Sequence, residues 1–294
     1  MKLVAYEMDG AAGVGVLDAD GTSVAPFALS AAEAAEGVQS LVERAAAGEA
    51  LPATGAPVAL AGVRLRAPLP RPRRNVFCVG KNYYDHAHEF SKSGFDSSAA
   101  AGTIPKAPIV FSKVPESVCA HGDAIVMDAA VSTTLDYEVE LGVIIGRGGR
   151  GITKENAFDH VWGYTVINDA TARDLQGLHS QWLIGKSQDT FCPMGPCAVT
   201  ADQFNLGDAF VRTWINGELR QDSNTGLLIF DVPTIIATIA AGITLFPGDV
   251  IATGTPAGVG IGYDPPVYLK PGDVVRMEIE GIGVLENRVE TRED

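Results

Sequence analysis

Short runs of apolar residues, each bounded by turn residues, recur along most of this chain. They predict strands at 2–8, 14–17, 75–79, 108–111, 124–127, 138–145, 161–168, 250–253, 274–279 and 283–289. A hairpin is predicted over 210–220, because Asn216-Gly217 at its centre is the strongest short hairpin signal. Few helical patterns interrupt these segments. The chain is therefore predicted to have a β-dominated α+β fold.

Helix signals are confined to two regions. Ser30 and Glu33 have the spacing of a capping box before an Ala-rich run, which predicts a helix over 30–47. Asp231 can cap a second helix that ends near Gly242. The intervening segment 49–74 is rich in Pro, Ala and Gly and is interpreted as a linker or extended segment. The predicted division is a small N-terminal α+β unit and a larger domain, residues 1–70 and 71–294.

Two acids stand one residue apart inside the predicted strand 138–145. Because strand side chains alternate, Glu138 and Glu140 share a face with Gly142 and Ile144, opposite an apolar face. Buried like charges at this distance would take up protons unless a divalent cation offset them. The alternative is a solvated outer face. Gly142 is interpreted as space beside the acids through which a substrate reaches them.

Another acid, Asp169, follows the predicted strand 161–168. It can cap the helix that follows, or it can complete a set of three oxygen ligands with Glu138 and Glu140. An all-carboxylate set suits Mg²⁺ or Mn²⁺ and not zinc. The residues by themselves leave both interpretations open.

A candidate general base lies in the segment 80–89. On a helical turn His86 and Glu89 share a face, so the carboxylate can orient the imidazole and increase its basicity. The alternative is an exposed polar helix, since His88 stands on the same turn. The Ser-, Gly- and Ala-rich residues that follow have the composition of a mobile lid, which is predicted over about 83–107.

Composition excludes several classes of protein. The 294 residues are 46% hydrophobic, enough for a substantial core, and the net charge of −14 argues against nucleic acid as a partner. No apolar run is long enough for a membrane span and no export signal is visible, so a cytoplasmic protein is expected. The four cysteines are interpreted as reduced, buried thiols, with a zinc or redox site at Cys192 and Cys197 as a minor alternative.

The glycine-rich stretch 254–262 follows a predicted strand and invites a nucleotide-binding interpretation. It lacks GxGxxG spacing and leads into Asp264-Pro265-Pro266 instead of a helix. The chain contains no GxxxxGK[ST] loop and no GxSxG elbow either. No nucleotide cofactor is therefore expected.

Five separated motifs, in order from about Asn75 to the C-terminus, together resemble the fumarylacetoacetate hydrolase family. They are 80–89, the acids Glu138, Glu140 and Asp169, and the segments 168–176, 185–187 and 253–260. The resemblance implies the mixed β-sandwich or β-roll of that family's C-terminal domain, a homodimer, and one Mg²⁺ or Mn²⁺ per subunit.

The resemblance also implies roles for individual residues. Glu138, Glu140 and Asp169 match the metal ligands, His86 and Glu89 match the water-activating dyad of the lid, and Lys186 matches the site lysine. Substrate contacts are expected from Lys81, Tyr83, Lys113, Arg173, Gln176 and Thr255. The sequence departs from the family in a longer lid and in Lys81, where Leu or Arg is more usual, and both bear on substrate choice.

The implied activity is metal-dependent cleavage of a carbon–carbon bond in a small anionic 2-oxo acid, an acylpyruvate such as fumarylpyruvate, in aromatic catabolism. The 2-oxo acid would chelate the metal, and His86 would activate the attacking water. Alternatives on the same site are an oxaloacetate decarboxylase and an isomerase or hydratase of 2-hydroxy-diene-dioates. A non-catalytic metal-binding module is a more remote alternative, because such a module has no use for a base dyad and a site lysine.

Overall fold

A computed structural model describes residues 1–92 and 104–292 of the chain and has a β-dominated mixed fold, as predicted. Its first elements are β1 Lys2–Met8, β2 Ala11–Leu17, β3 Ser23–Pro26, α1 Ala31–Ala35, α2 Gln39–Ala47, β4 Val58–Ala59, β5 Arg64–Arg66, β6 Val76–Gly80, α3 Tyr84–Lys92, β7 Ile109–Lys113, β8 Val118–Cys119 and β9 Ala124–Met127. The later elements are β10 Leu135–Asp136, β11 Val139–Ile145, β12 Val161–Asn168, β13 Thr171–Ala172, α4 Arg173–Leu178, α5 Leu183–Lys186, β14 Cys192–Thr200, β15 Phe210–Ile215, β16 Glu218–Asn224, α6 Val232–Ala240, β17 Val250–Ala252, β18 Val274–Ile279 and β19 Gly283–Thr291.

Two packed sheets and one short ribbon contain these strands. The larger sheet has twelve strands in the order β4-β3-β2-β1-β14-β12-β11-β17-β6-β7, with β5 beside β1 and β8 beside β14. The smaller sheet has the order β16-β15-β18-β19-β9, and β10 pairs with β13. The strands β11, β12 and β14 at the middle of the larger sheet cover the smaller one.

The helix predicted over 30–47 is in fact two helices. Ser30 caps α1 with the expected capping box, and Gly48 ends α2 in a left-handed conformation. Between them Gly37 has a φ of 67°, and a Cβ at this position would overlap the carbonyl oxygen of Pro68. The close approach of a distant segment therefore interrupts the helix at a residue that only glycine occupies without strain.

The segment 49–74 is extended, as predicted, but parts of it belong to the sheet. The strand β4 pairs with β3, and β5 pairs with β1. On its other side β1 pairs with β14, placing Lys2 opposite Val199. The backbone thus joins 1–70 and 71–294 in one sheet, and their division into two units stays a prediction.

The strand β11 lies between two apolar clusters, and all seven of its residues are buried. The odd-numbered residues from Val139 to Ile145 pack with Met277 in the core between the sheets. Ile144 points the other way and packs in a second cluster with Leu3. The predicted alternation of faces is confirmed, whereas the solvated outer face is wrong because both faces are covered.

Local turn and cap signals agree with the observed elements. Asn216 and Gly217 both have positive φ, 52° and 83°, in the turn that joins β15 to β16. The Asp231 side chain accepts the Thr234 N–H and caps α6, which ends at Ala240.

All four cysteines are free and buried, as expected. None of the described helices combines the length and the apolarity that a membrane crossing requires.

Candidate metal and active site

Three buried carboxylates meet where β11 begins and β12 ends. In this antiparallel pair Val139 lies opposite Asn168, and the Asp169 N–H donates to the Glu138 carbonyl oxygen at 2.8 Å. The pairing brings Glu138, Glu140 and Asp169 together, with one ligand oxygen of each within 4.8 Å of the others. Their exposed fractions are 4, 1 and 0%.

Two buried lysines hold Asp169. Lys113 Nζ lies 2.6 Å from its Oδ1, and Lys186 Nζ lies 2.7 Å from its Oδ2. The helix-cap alternative is wrong for this residue, because α4 starts after Ala172 and has no side-chain cap. The Asp169 carboxylate is therefore fixed by two ammonium groups beside Glu138 and Glu140.

Glu138 also has two cationic partners. Lys186 Nζ lies 2.8 Å from its Oε2, and Arg173 NH2 lies 2.7 Å from its Oε1. Burial disfavours the ionised carboxylate, but the two cations outweigh burial and lower the pKa of Glu138 to about 2. Glu138 is ionised at neutral pH as a result.

The negative charge of Glu140 has fewer compensating partners than the charges of Glu138 and Asp169. It accepts the Gly254 N–H at 2.8 Å, and no ion pair reaches it from residues 1–92 or 104–292. Burial, together with the charges of Asp169 and Glu138, raises the pKa of Glu140 well above its ordinary value. A divalent cation would offset this charge, and three carboxylates provide the oxygen ligands that Mg²⁺ and Mn²⁺ prefer. The donor set therefore fits such an ion.

The candidate base dyad lies on α3. His86 Nδ1 is 3.1 Å from Glu89 Oε2, and the other oxygen of Glu89 accepts the Gly258 N–H at 3.0 Å. A carboxylate at Nδ1 favours the tautomer in which Nε2 is the basic nitrogen. His86 is 5% exposed, so the exposed-helix alternative is wrong for it, whereas His88 is exposed. Residues 93–103 of the predicted lid lie outside the described residues.

A cavity with about 290 Å³ of empty space lies between His86 and the acids Glu138 and Glu140. The side chains that line it include most of the predicted site residues, namely Lys81, His86, Glu138, Glu140, Arg173, Gln176, Lys186 and Thr255. Phe111 and Trp182 form an apolar wall, with their ring centroids 5.1 Å apart in an edge-on arrangement. Buried cations, two carboxylates and the candidate base His86 therefore all line one small, partly apolar cavity.

Hydrogen bonds pre-orient two polar groups of this cavity. Gln176 Oε1 accepts from Arg173 NH1 at 3.1 Å, so its amide N–H groups remain as donors. Thr255 Oγ1 accepts from Gln221 Nε2 at 2.8 Å, so its own proton can be donated to a ligand. Both residues can therefore donate to an anionic oxygen in the cavity.

Lys81 lies on the cavity wall with an unusual backbone. It is 2% exposed and has a φ of 54°, in the left-handed region that a long side chain seldom adopts. Strain of this kind concentrates at ligand-binding sites, where the surrounding structure holds it. Lys81 thus combines a strained backbone with a buried cation in the cavity.

Two predicted substrate contacts lie elsewhere. Lys113 Nζ donates to Asp169 and, at 3.0 Å, to the Ala170 carbonyl oxygen, so its contacts are those of a residue that positions Asp169. Tyr83 lines a neighbouring cavity with Tyr84 and Asp222. Neither residue is among those that line the cavity of His86 and the acids within the described part of the chain.

Asp136 is a site residue that the sequence interpretation missed. It is fully buried, its Oδ2 lies 2.8 Å from Arg173 NH2, and it accepts the N–H groups of Gly260 and Ile261 at 2.7 and 3.0 Å. Its position two residues before Glu138, on the same side of the strand pattern, was the available signal. Arg173 bridges it to Glu138, so Asp136 links the acid cluster to the segment 254–262.

The interpretation of Gly142 as substrate space is wrong. A Cβ at this position would lie 2.7 Å from Ile167 Cδ1 and 2.9 Å from Thr165 Cγ2. The absent side chain therefore makes room for two side chains of β12. Glycine here allows close packing of the strand pair that carries the acids.

Comparisons with known proteins agree with this geometry. A family model described as the fumarylacetoacetate (FAA) hydrolase C-terminal domain matches residues 75–290. The oxaloacetate tautomerase YisK of Bacillus subtilis is 47% identical over 231 residues, 78% of this chain and 74% of that protein. Among solved structures, the fumarylacetoacetate hydrolase of Exiguobacterium antarcticum has 44% identity and a TM-score of 0.83, over 99% of this chain and 100% of that one. A 2-hydroxyhepta-2,4-diene-1,7-dioate isomerase from Mycobacterium marinum has 32% identity and a TM-score of 0.78 over the full length of both chains. This chain therefore belongs to the fumarylacetoacetate hydrolase family.

Proposed function

We propose that this protein is an oxaloacetate tautomerase, a divalent-metal enzyme that interconverts the enol and keto forms of a small 2-oxo dicarboxylate. The observation that carries the proposal is one cavity lined by Glu138, Glu140, His86 and Lys186. Asp169 completes the acid cluster behind it, and Glu89 binds His86. The 47% identity to an oxaloacetate tautomerase favours this reaction over hydrolysis, which the sequence motifs alone suggest.

Glu138, Glu140 and Asp169 would hold Mg²⁺ or Mn²⁺. A bound ion of this type acts as a Lewis acid that polarises the 2-oxo acid and stabilises negative charge on its oxygen. Arg173, Gln176 and Thr255 supply donors for the carboxylates of the substrate. Trp182 and Phe111 exclude water from the carbon chain.

Ketonisation of the enol is proton-neutral overall, because the hydroxyl group loses one proton to solvent water and C3 gains one. We assign the proton transfer at C3 to His86 Nε2, because Nδ1 is held by Glu89. Burial alone would lower the pKa of Lys186, but Asp169 and Glu138 outweigh burial and raise it, so the ammonium stays charged. Two of its three N–H groups bind Glu138 and Asp169, which leaves one for the oxygen that carries the enolate charge.

Hydrolysis of an acylpyruvate such as fumarylpyruvate is the second candidate. It is favoured by the 44% identity, over nearly the whole chain, to a solved fumarylacetoacetate hydrolase. In that reaction His86 would deprotonate a water instead of transferring a proton at carbon, the water would attack the distal carbonyl, and the enolate of pyruvate would leave. Decarboxylation of oxaloacetate and isomerisation of a diene-dioate pass through related enolates and belong in the same assay.

One substrate panel separates these reactions. Purified protein with Mg²⁺ or Mn²⁺, and with EDTA as control, is given enol-oxaloacetate, keto-oxaloacetate, fumarylpyruvate and acetylpyruvate. Loss of the ultraviolet absorbance of the enol without formation of pyruvate is the expected result. Pyruvate formed from an acylpyruvate faster than the enol is converted would replace the tautomerase proposal with the hydrolase. The absence of metal-dependent turnover on every substrate would contradict both proposals.

A further inference from the structure

We infer that Gly258 and Gly262 form a seat for the Glu89 side chain, and that this seat positions the base dyad. The inference deepens the proposed function, since it rests on His86 as the group that transfers the proton. It also gives a role to the glycine-rich stretch 254–262, whose sequence does not fit nucleotide binding.

The first observation is that the Glu89 carboxylate joins two elements. Its Oε2 lies 3.1 Å from His86 Nδ1 on α3, and its Oε1 accepts the Gly258 N–H at 3.0 Å. One oxygen orients the imidazole while the other binds the glycine-rich stretch. A shift of Glu89 away from Gly258 would therefore also change the orientation of the His86 ring.

The second observation is the steric fit at Gly262. A Cβ at this position would lie 2.5 Å from Glu89 Cγ and would overlap its carboxylate, and the three nearest atoms all belong to Glu89. Gly262 is not among the glycines with a positive φ, so its backbone is open to other residues. Any larger residue at this position would therefore displace the Glu89 side chain, which occupies the space of a Cβ.

The third observation is that the seat is held independently of Glu89. Asp136 accepts the N–H groups of Gly260 and Ile261, and the Tyr137 hydroxyl donates to the Gly258 carbonyl oxygen at 2.9 Å. Asp136 and Tyr137 directly precede Glu138. The segment 136–138 thus holds the seat and supplies Glu138, and Glu89 links α3 to the seat.

Replacement of Gly262 by alanine tests the seat. The three atoms nearest to the added methyl group all belong to the flexible Glu89 side chain, so we expect the variant to fold and to keep its melting temperature. We expect kcat to fall, by up to the roughly 10²-fold that a positioned general acid or base contributes, with little change in KM. The matched control is Gly207→Ala, because a Cβ at Gly207 meets nothing within 4 Å and its φ is not positive.

A double-mutant cycle separates the seat from a general structural effect. With Glu89→Ala as background there is no side chain for the new methyl group to displace, so Gly262→Ala should cause no further loss of kcat. Hydrogen exchange supplies a readout that needs no substrate. The amides of α3 should exchange faster in Gly262→Ala than in wild type, and at the wild-type rate in Gly207→Ala.

Equal losses of kcat from Gly262→Ala in both backgrounds would overturn the inference, as would unchanged exchange in α3. The exchange result does not depend on which reaction is catalysed. If the wild-type protein lacks turnover on the whole substrate panel while α3 still exchanges faster in Gly262→Ala, the proposed function fails and the seat stands.

Discussion

Glu140 carries the least compensated charge of the buried acid cluster. Glu138 and Asp169 each have two cationic partners, whereas the described contact of Glu140 is one backbone N–H. The neighbouring acids and the burial make its ionised form unfavourable in the absence of a cation. We therefore expect ionised Glu140 to lower the stability of the metal-free protein, and a bound cation to remove this cost.

Glu140→Gln tests this balance through the pH dependence of stability. In metal-free protein the folded pKa of Glu140 is raised above the unfolded value of 4.5. The contribution of Glu140 to stability is fully present below the unfolded pKa, and it is lost as the pH rises from there through the folded pKa. The variant lacks this loss, so in EDTA its free energy of unfolding relative to that of the wild type should increase as the pH rises above about 5, measured by urea unfolding.

The same variant tests the metal ligand. Wild-type protein should gain about 2.7 kcal/mol of unfolding free energy when Mg²⁺ is present at a hundred times its Kd, and Glu140→Gln should gain much less. Isothermal calorimetry measures the binding directly. Equal Mg²⁺ affinity in both proteins would remove Glu140 from the ligand set.

Asp136 holds Arg173 and the glycine-rich stretch 254–262 in place. It is buried with Arg173 and binds two backbone N–H groups of the glycine-rich stretch. Removing one partner of a buried ion pair costs roughly 3–5 kcal/mol, because the other charge remains buried. Asp136→Asn should therefore lower the free energy of unfolding by about 3 kcal/mol, measured in urea.

The control for this variant is Asp222→Asn. Asp222 pairs with Arg212 at 2.7 Å, but their side chains are 48% and 38% exposed. Surface pairs of this kind contribute less than about 1 kcal/mol. A loss in Asp136→Asn no larger than in the control would show that the buried pair does not hold the site together.

At the scale of the elements, α3 and the pair β11–β12 divide the chemistry between them. The strands place the acids by backbone register, so the positions of Glu138 and Asp169 follow from the pairing of Val139 with Asn168. The helix places His86 and Glu89 on one face by their spacing of three residues. The proposed metal ligands and the proposed base therefore come from different elements and can be tested separately.

Glu89→Gln should separate the two functions. The amide cannot act as the anionic partner of His86, so we expect kcat for enol conversion to fall by about 10²-fold. Mg²⁺ affinity, measured by calorimetry, should stay at the wild-type value because Glu89 is not a ligand. His88→Gln, an exposed histidine on the same helix, is the matched control and should change neither quantity.

If the dyad activates water, Glu89→Gln should impair hydrolysis of an acylpyruvate far more than decarboxylation of oxaloacetate. Decarboxylation needs no attacking water. Equal losses of the two activities would contradict a water-activating dyad and favour a role in proton transfer at carbon, as in the tautomerase.

At the scale of the whole molecule, the N-terminal strands complete the larger sheet. The strand β1 lies beside β14, and Leu3, Leu41 and Leu69 are buried in the same cluster as Ile144 of β11. Removing 1–70 would expose this apolar surface and one side of β14. Burial of apolar area is the main source of stability, so the larger domain depends on these residues.

A fragment of residues 71–294 tests this dependence. We expect it to aggregate or to unfold at a much lower temperature than the full chain, which should unfold in one calorimetric transition. Circular dichroism and calorimetry measure both. A fragment that melts like the full chain and binds Mg²⁺ would support two independently folding units, as the sequence division predicts.

Much of the local structure follows from local signals. The alternation along β11, the Asn216-Gly217 turn and the Asp231 cap depend on residues next to one another, and all three are observed as predicted. The helix over 30–47 fails because Pro68, distant in sequence, approaches Gly37. Propensity along the chain contains no information about such a contact.

The acids, the histidine and the lysine of the site were predicted from sequence because their motifs together resemble one family. The role of Asp136, the neighbours of Gly142 and the fit of Glu89 against Gly262 could not. Each depends on which side chains meet across more than one element. By itself the sequence determined most of the strands, the turns and caps and the reactive groups available to this protein, since these depend on local residue type. Only the tertiary structure decided which buried acids have cationic partners, which glycines make room for neighbouring side chains and which backbone groups hold the proposed base dyad. These features depend on packing between distant segments.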